Sequence, residues 1–239
     1  MVRPVHLPFG DTTYEVRPSK IIALGLNYRS HIHESGTVQV RGFDDEEPSE
    51  PILFPKLPSC IIGPGNAIEL PAILGDYDFP EPRTDYEGEL AVVIGAGGRD
   101  IPVTEAMSHV LGYTCANDVS QRNIQNADKG GWFRGKSFDT FLPLGPRIVP
   151  ADAIEDVQTL SVITRRNGEV VQSGNTGQMI FPVAETIHFV SRNFTLEGGD
   201  IILTGTPSGV GPIADGDTIE VEIADIGILS NPVRDLQKR

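Results

Sequence analysis

The chain has 239 residues with ordinary apolar content, enough for one large domain with a substantial buried core. Its formal net charge of -14, from 33 acidic against 19 basic residues, argues against nucleic acid as a partner, because phosphate contacts need basic patches. Two cysteines without a CxxC, no leader segment and no apolar run of about 18 residues argue against a disulfide scaffold, secretion and a membrane span, so a cytoplasmic protein with two reduced thiols is expected.

Residues 1–18 read as a strand-and-turn lead-in, and Lys20 to Leu24 as a short apolar strand running into Gly25. The polar stretch YRSHIHES at 28–35 fits a short helix. Residues 36–51 are loop-like and end in the acidic run DDEEPSEP at 44–51, a candidate lid. Residues 1–50 are therefore read as lead-in and lid, and 51–239 as the core, within a single domain. Ile52 to Phe54 is a buried-strand candidate. Leu90 to Ile94 is an apolar, β-branched strand that ends in a glycine turn. Thr104 to Leu111 fits a helix, with Thr104 as its cap, an apolar stripe of Ala106, Met107, Val110 and Leu111, and Gly112 as its stop.

Asn167-Gly168 lies between two strand-like runs and predicts a type I′ hairpin, whose two central residues need positive φ. Pro182 to Arg192 reads as a helix with proline in its first turn and Val183, Ile187 and Val190 on one face. Asp217 to Ile223 alternates, with Ile219, Val221 and Ile223 inward. Strands outnumber helices and do not alternate regularly with them, which predicts an α+β fold with mixed sheets.

Three constellations carry chemistry. Glu87 and Glu89 flank Gly88 at the head of the apolar strand, and in a strand residues i and i+2 share a face, roughly 6.6 Å apart. Asp118 follows a second apolar stretch in GYTCANDVS. Three hard oxygen ligands suit Mg²⁺, Mn²⁺ or Ca²⁺ better than zinc. The same ExE spacing recurs at Glu220 and Glu222, where a solvated strand face explains it, so context has to separate the two. Next, His31 and Glu34 stand at i and i+3, which on a helix lets the carboxylate orient the imidazole as a general base, with His33 pointing away. Finally, Lys136 lies in GGWFRGKSFDTFLPLGP, either as an exposed loop lysine or as a partly desolvated cation facing an anion; Arg134 and Asp139 are candidate partners there. The turn TGTPSGVGP at 204–212 is no P-loop, but its backbone N–H groups and the Thr206 hydroxyl suit a small anion.

Taken together, the chain resembles the fumarylacetoacetate hydrolase family. The likeness is carried by GLNYRSHIHE (25–34), PILFPKLPSCIIGPG (51–65), DYEGELAVVIG (85–95) and GYTCANDVSQRNIQ (112–125). It continues through WFRGKSFDTFLPLGP (132–146), the long stretch at 178–211 and GDTIEVEIADIGILSNPV (216–233). It implies the family's mixed β-sandwich roll of the C-terminal domain type, usually a homodimer. On the same ground Glu87, Glu89 and Asp118 fall on Mg²⁺ or Mn²⁺ ligands, and His31 and Glu34 on a catalytic dyad carried by a lid helix. Lys136 and Gln125 fall on contacts to a 2-oxo acid, and Thr206 on a substrate-binding turn. The sequence departs from the family's DVSARD by reading DVSQRN, which replaces an acid with Asn123 and removes a candidate partner of Arg122 or a nearby loop.

The expected activity is metal-dependent C–C hydrolysis of an acylpyruvate-like 2-oxo acid, with His31 activating water. Oxaloacetate decarboxylation ranks second and isomerisation of a hydroxymuconate-type dienoate third. The alternative from another class is an inert, ligand-binding relative.

Overall fold

The computed structural model describes residues 4–32 and 46–238. Among these, the largest sheet has nine strands. Eight of them run in the order β2 (Thr12–Val16), β1 (Val5–Phe9), β11 (Leu142–Pro150), β9 (Val110–Asn117), β8 (Gly88–Ile94), β14 (Ile201–Leu203), β3 (Ile21–Gly25) and β4 (Ile52–Lys56). The short β5 (Ile61–Ile62) pairs with β11. A second sheet follows the order β13 (Glu169–Asn175), β12 (Ser161–Arg166), β16 (Thr218–Ile223), β17 (Gly227–Asp235) and β6 (Ile68–Leu70). A small third sheet joins β10 (Ser120–Gln121), β7 (Thr84–Tyr86) and β15 (Gly211–Pro212). The first sheet mixes parallel pairs, such as β14 with β3, and antiparallel ones, such as β8 with β9. The α-helices lying wholly within the described residues are α1 (Arg122–Ala127), α2 (Phe133–Lys136) and α3 (Val183–Asn193).

Strand β8 is buried along its whole length, which is why residues 90–94 read as an unbroken apolar run. Leu90, Val92 and Ile94 share one core with Val183, Ile187 and Val190 of α3 and with Val162, Val221 and Ile223 of the second sheet. Ala91 and Val93 face the other core, with Leu7, Ile61, Leu142, Leu144 and Val233. The predicted α3 and the hairpin at Asn167-Gly168 are present, the latter with φ of 54° and 83° at its two central residues. The lead-in strands β1, β2 and β3 are hydrogen-bonded into the same sheet as the strands that follow.

The helix expected over Thr104 to Leu111 is not there. A single 3₁₀ turn, Ala106–His109, is followed at once by β9, so Val110 and Leu111 belong to a strand and Met107 is exposed. The helical spacing of these apolar residues loses to pairing of β9 with both β8 and β11, which satisfies the backbone groups of this stretch. No helix among the described residues is long and apolar enough to cross a membrane. Both cysteines are free and buried, and burial pushes Cys60 up to about 11 and Cys115 up to about 12, so neither thiol is poised to react.

The strand directions gather the site. Parallel β3 and β14 deliver residues 25–31 and 204–206 to one end of the sheet. Antiparallel β8 begins at that end and β9 finishes there, bringing Glu87, Glu89 and Asp118 with them.

Candidate metal centre and active site

Glu87 lies in the break between β7 and β8, and Glu89 is the second residue of β8. Pairing sets Gly88 opposite Asn117, so Asp118, one residue beyond β9, meets that break. Asp118 N–H donates to Glu87 O at 2.8 Å, and Glu87 N–H donates to the Asn117 side-chain oxygen at 2.9 Å. One oxygen from each of Glu87, Glu89 and Asp118 lies within 4.8 Å of the others, and all three residues are buried. Glu220 and Glu222, with the same spacing, are half-buried on the outward face of β16, and Glu222 pairs with Arg165 at 2.5 Å. Burial separates the two motifs where spacing does not.

The glycine between the glutamates is dictated by its neighbours. A Cβ at Gly88 would stand 2.1 Å from Thr164 Oγ1 and 3.3 Å from Val221 Cγ1. Gly88 N–H donates to Gln172 Oε1 at 3.0 Å, and Gly88 O accepts from the Thr206 hydroxyl at 2.9 Å. Gln172 Nε2 closes the loop by donating to Thr206 Oγ1 at 2.8 Å. Thr206 therefore lines the cavity while its hydroxyl braces the backbone between the two glutamates.

Four basic side chains serve the acids. Lys136 Nζ bridges Glu87 Oε2 at 2.6 Å and Asp118 Oδ2 at 2.7 Å. Arg122 reaches Glu87 Oε1 at 2.6 Å and Asp85 Oδ2 at 2.8 Å, with Arg83 on the other oxygen of Asp85. Lys56 Nζ takes Asp118 Oδ1 at 2.5 Å. Glu89 differs: its Oε2 accepts the Gly205 N–H at 2.8 Å, and among the described residues no basic side chain lies within ion-pair distance of it. Burial would raise the Glu87 carboxyl, but Lys136 and then Arg122 outweigh it and hold that group well below the usual carboxylate range. Glu89 goes the other way, raised by burial and then by the like charges of Asp118 and Glu87. Burial opposes the charge on Lys136, but Asp118 and Glu87 more than compensate, so it stays an ammonium.

These residues fit a divalent cation. The set is three hard oxygens with no thiolate or imidazole among them. Oxygens around an octahedral ion with bonds of about 2.1 Å lie about 3 Å apart in cis and about 4.2 Å in trans, compatible with the observed cluster. Glu89 supplies a buried carboxylate with no cation of its own, the situation that a bound ion relieves. A carboxyl must be ionised to ligate, so with the Glu89 carboxyl raised, cation uptake should release a proton, and Mn²⁺ affinity should weaken as the pH falls. Calorimetry in two buffers of different ionisation enthalpy reads that proton; no buffer dependence would show Glu89 already ionised.

A small pocket opens over this cluster. Its polar lining includes Glu87, Glu89, Arg122, Gln125, Lys136 and Thr206, and its apolar wall includes Leu24, Leu26, Phe54 and Trp132. Trp132 sits over Gly25, where a Cβ would stand 2.6 Å from the indole. His31 also lines the cavity and is buried. Its helical turn, residues 29–32, is set by Asn27, whose side chain bonds Thr204 O at 2.8 Å and both the N–H and O of Phe181. Gln125 Oε1 accepts from Arg122 at 3.0 Å. The structure thus brings together His31, Glu87, Glu89, Asp118, Gln125, Lys136 and Thr206. Glu34, the proposed partner of His31, and most of the expected lid lie outside the described residues.

One smaller expectation is corrected. Arg134 pairs with Asp128 at 3.0 Å and with the Tyr77 hydroxyl at 2.8 Å, rather than with Asp139, because both lie beside its short helix. At the departure from the family's acid, the Asn123 oxygen accepts from Arg83 N–H at 2.8 Å and its amide donates to Glu81 O, so this residue pins the 81–83 backbone. Sequence reasoning missed Lys56, Asp85 and Asn27, which meet Asp118, Arg122 and Thr204 far away along the chain.

The sequence model of the fumarylacetoacetate (FAA) hydrolase C-terminal family matches residues 20–234. The chain belongs to the fumarylacetoacetate hydrolase family. Its mixed-sheet α+β architecture is that of the family's solved members. Over 239 residues it is 43% identical to the bovine mitochondrial oxaloacetate tautomerase FAHD2A, covering 95% of this chain and 71% of that protein. A 5-carboxymethyl-2-hydroxymuconate delta-isomerase from Mycobacterium smegmatis superposes with a TM-score of 0.79 at 41% identity, covering 92% of this chain and 80% of that one. Fumarylpyruvate hydrolase from Pseudomonas aeruginosa, solved with Mn²⁺ and pyruvate, gives a TM-score of 0.84 at 31% identity, covering 97% and 96% of the two chains. These family relatives include a tautomerase, an isomerase and a hydrolase.

Proposed function

We propose that this family member binds a small 2-oxo acid over a divalent cation, Mg²⁺ or Mn²⁺, and catalyses proton transfer at the carbon beside the oxo group. The observation that carries the reading is the buried Glu87, Glu89 and Asp118 cluster, whose two glutamates line a pocket with His31, Gln125 and Lys136. A cation held by those three carboxylates supplies a Lewis acid that stabilises negative charge on the oxo oxygen. Lys136 contributes a second, desolvated positive charge beside the developing enolate. Gln125, its oxygen held by Arg122, keeps its Nε2 as a donor for a substrate oxygen. His31 takes and returns the proton at the neighbouring carbon, a step that needs no water.

Proton transfer is placed ahead of hydrolysis because it asks least of the site: one base and a stabilised enolate. The relatives named for it, at 43% and 41% identity, are also nearer in sequence than the hydrolase at 31%. C–C hydrolysis is the second reading, favoured by the buried position of His31 in the cavity wall, from which it would activate water with Glu34 as its partner. The deciding experiment incubates the protein and Mn²⁺ with oxaloacetate in deuterated water and, separately, with an acylpyruvate. Faster keto–enol interconversion of oxaloacetate with label at C3 supports the first reading. Pyruvate release from the acylpyruvate alone supports the second. No effect on either compound, and no thermal shift with oxalate, would leave an inert binding relative.

A further inference from the structure

Lys56 has no place in the chemistry above, yet its side chain is fully buried beside it. It comes from β4, at the end of the strand path, whereas Asp118 follows β9, four strands away. Four steps across a flat sheet are about 19 Å, beyond the reach of a lysine. The sheet therefore curls over, and Lys56 ties its edge to its middle. Its Nζ makes two close contacts, with Asp118 Oδ1 at 2.5 Å and with the backbone oxygen of Lys136. The same ammonium thus holds one cluster carboxylate and the residue whose own ammonium bridges that carboxylate's other oxygen.

We infer that Lys56 is a positioning residue for the proposed metal centre: it fixes the rotation of the Asp118 carboxylate and anchors the end of α2 so that Lys136 stands over the cluster. Replacing a buried ion pair by apolar groups of similar size is often neutral, so stability alone does not account for a charge at this place. A charge that holds two working groups in mutual register has to be in this place. Phe54, two residues earlier on β4, adds to the same register, since Lys136 Nζ lies 5.0 Å from its ring centre. The inference rests on the reading of the acidic cluster as a cation site.

The test compares wild type with Lys56→Met, which keeps the length, and Lys56→Gln, which keeps a hydrogen-bond donor without the charge. Circular dichroism reads the fold, and electron paramagnetic resonance of Mn²⁺ reads affinity and the geometry of the bound ion. The expected result is a folded variant in which Mn²⁺ affinity falls about tenfold, the loss typical of a group that orients a ligand. The bound-ion spectrum should also differ from wild type, and Lys56→Gln should lie between the other two. Unchanged affinity and spectrum in folded variants would overturn the inference. So would loss of the fold in both variants, which would assign Lys56 to folding. Failure of the wild type to bind Mn²⁺ would overturn the cation reading itself, and the inference with it.

Discussion

Replacing Glu89 by glutamine should raise the stability of the metal-free protein while removing its divalent-cation binding. Both effects come from one fact: Glu89 is buried against Asp118 and Glu87, and no described base pairs with it. Ionising such a group costs free energy at neutral pH, because burial and like charge both oppose it. The amide keeps the shape and can still accept the Gly205 N–H. A gain of about 1 kcal/mol would lift the melting temperature by about 2–4 °C in a domain of this size. Loss of one carboxylate of three should weaken Mn²⁺ by more than the 10–100-fold, roughly, that loss of an outer partner causes. Thermal melts with and without Mn²⁺ check both halves. A variant less stable than wild type in the absence of metal would show that Glu89 is already charge-compensated.

Gly88→Ala should have the largest effect on folding. The new methyl would meet Thr164 Oγ1 at 2.1 Å, and Thr164 lies in the second sheet, so the clash forces two packed layers apart. Overpacking of this kind costs about 1–3 kcal/mol. Displacing Gln172 breaks its bond with the Gly88 N–H and loosens the Thr206 brace, at about 1 kcal/mol for each hydrogen bond lost. A total near 3 kcal/mol is therefore expected, read by urea denaturation. Thr164 offers a specific control, because its Oγ1 is buried and without a hydrogen-bond partner. Thr164→Ala should cost little alone and should recover much of the loss when combined with Gly88→Ala. Strict additivity of the two changes would sink the steric account.

How much of this was legible in the chain depends on how local each signal is. The apolar run at 90–94, the Asn167-Gly168 turn and the helix at 183–193 are set by neighbouring residues, and the structure contains all three. The acidic cluster was half legible. Spacing nominated Glu87 and Glu89, but the strand breaks at Glu87, and what distinguishes them from Glu220 and Glu222 is burial, a property of the assembled sheets. Lys56, the last residue of β4, carries no local mark at all: its partner Asp118 is 62 positions away. The false helix at 104–111 arose the same way, since nothing in that window reveals the two strands waiting to pair with Val110 and its successors.

The central claim is that Glu87, Glu89 and Asp118 hold a cation that a 2-oxo acid meets directly. Oxygen-17-labelled oxalate, an analogue of a 2-oxo acid's enolate, tests it most directly, with electron paramagnetic resonance of protein-bound Mn²⁺ as the readout. One bound ion per chain whose lines broaden with labelled but not with unlabelled oxalate is the predicted result. Lines that stay unchanged, or the absence of a stoichiometric Mn²⁺ site, would contradict it.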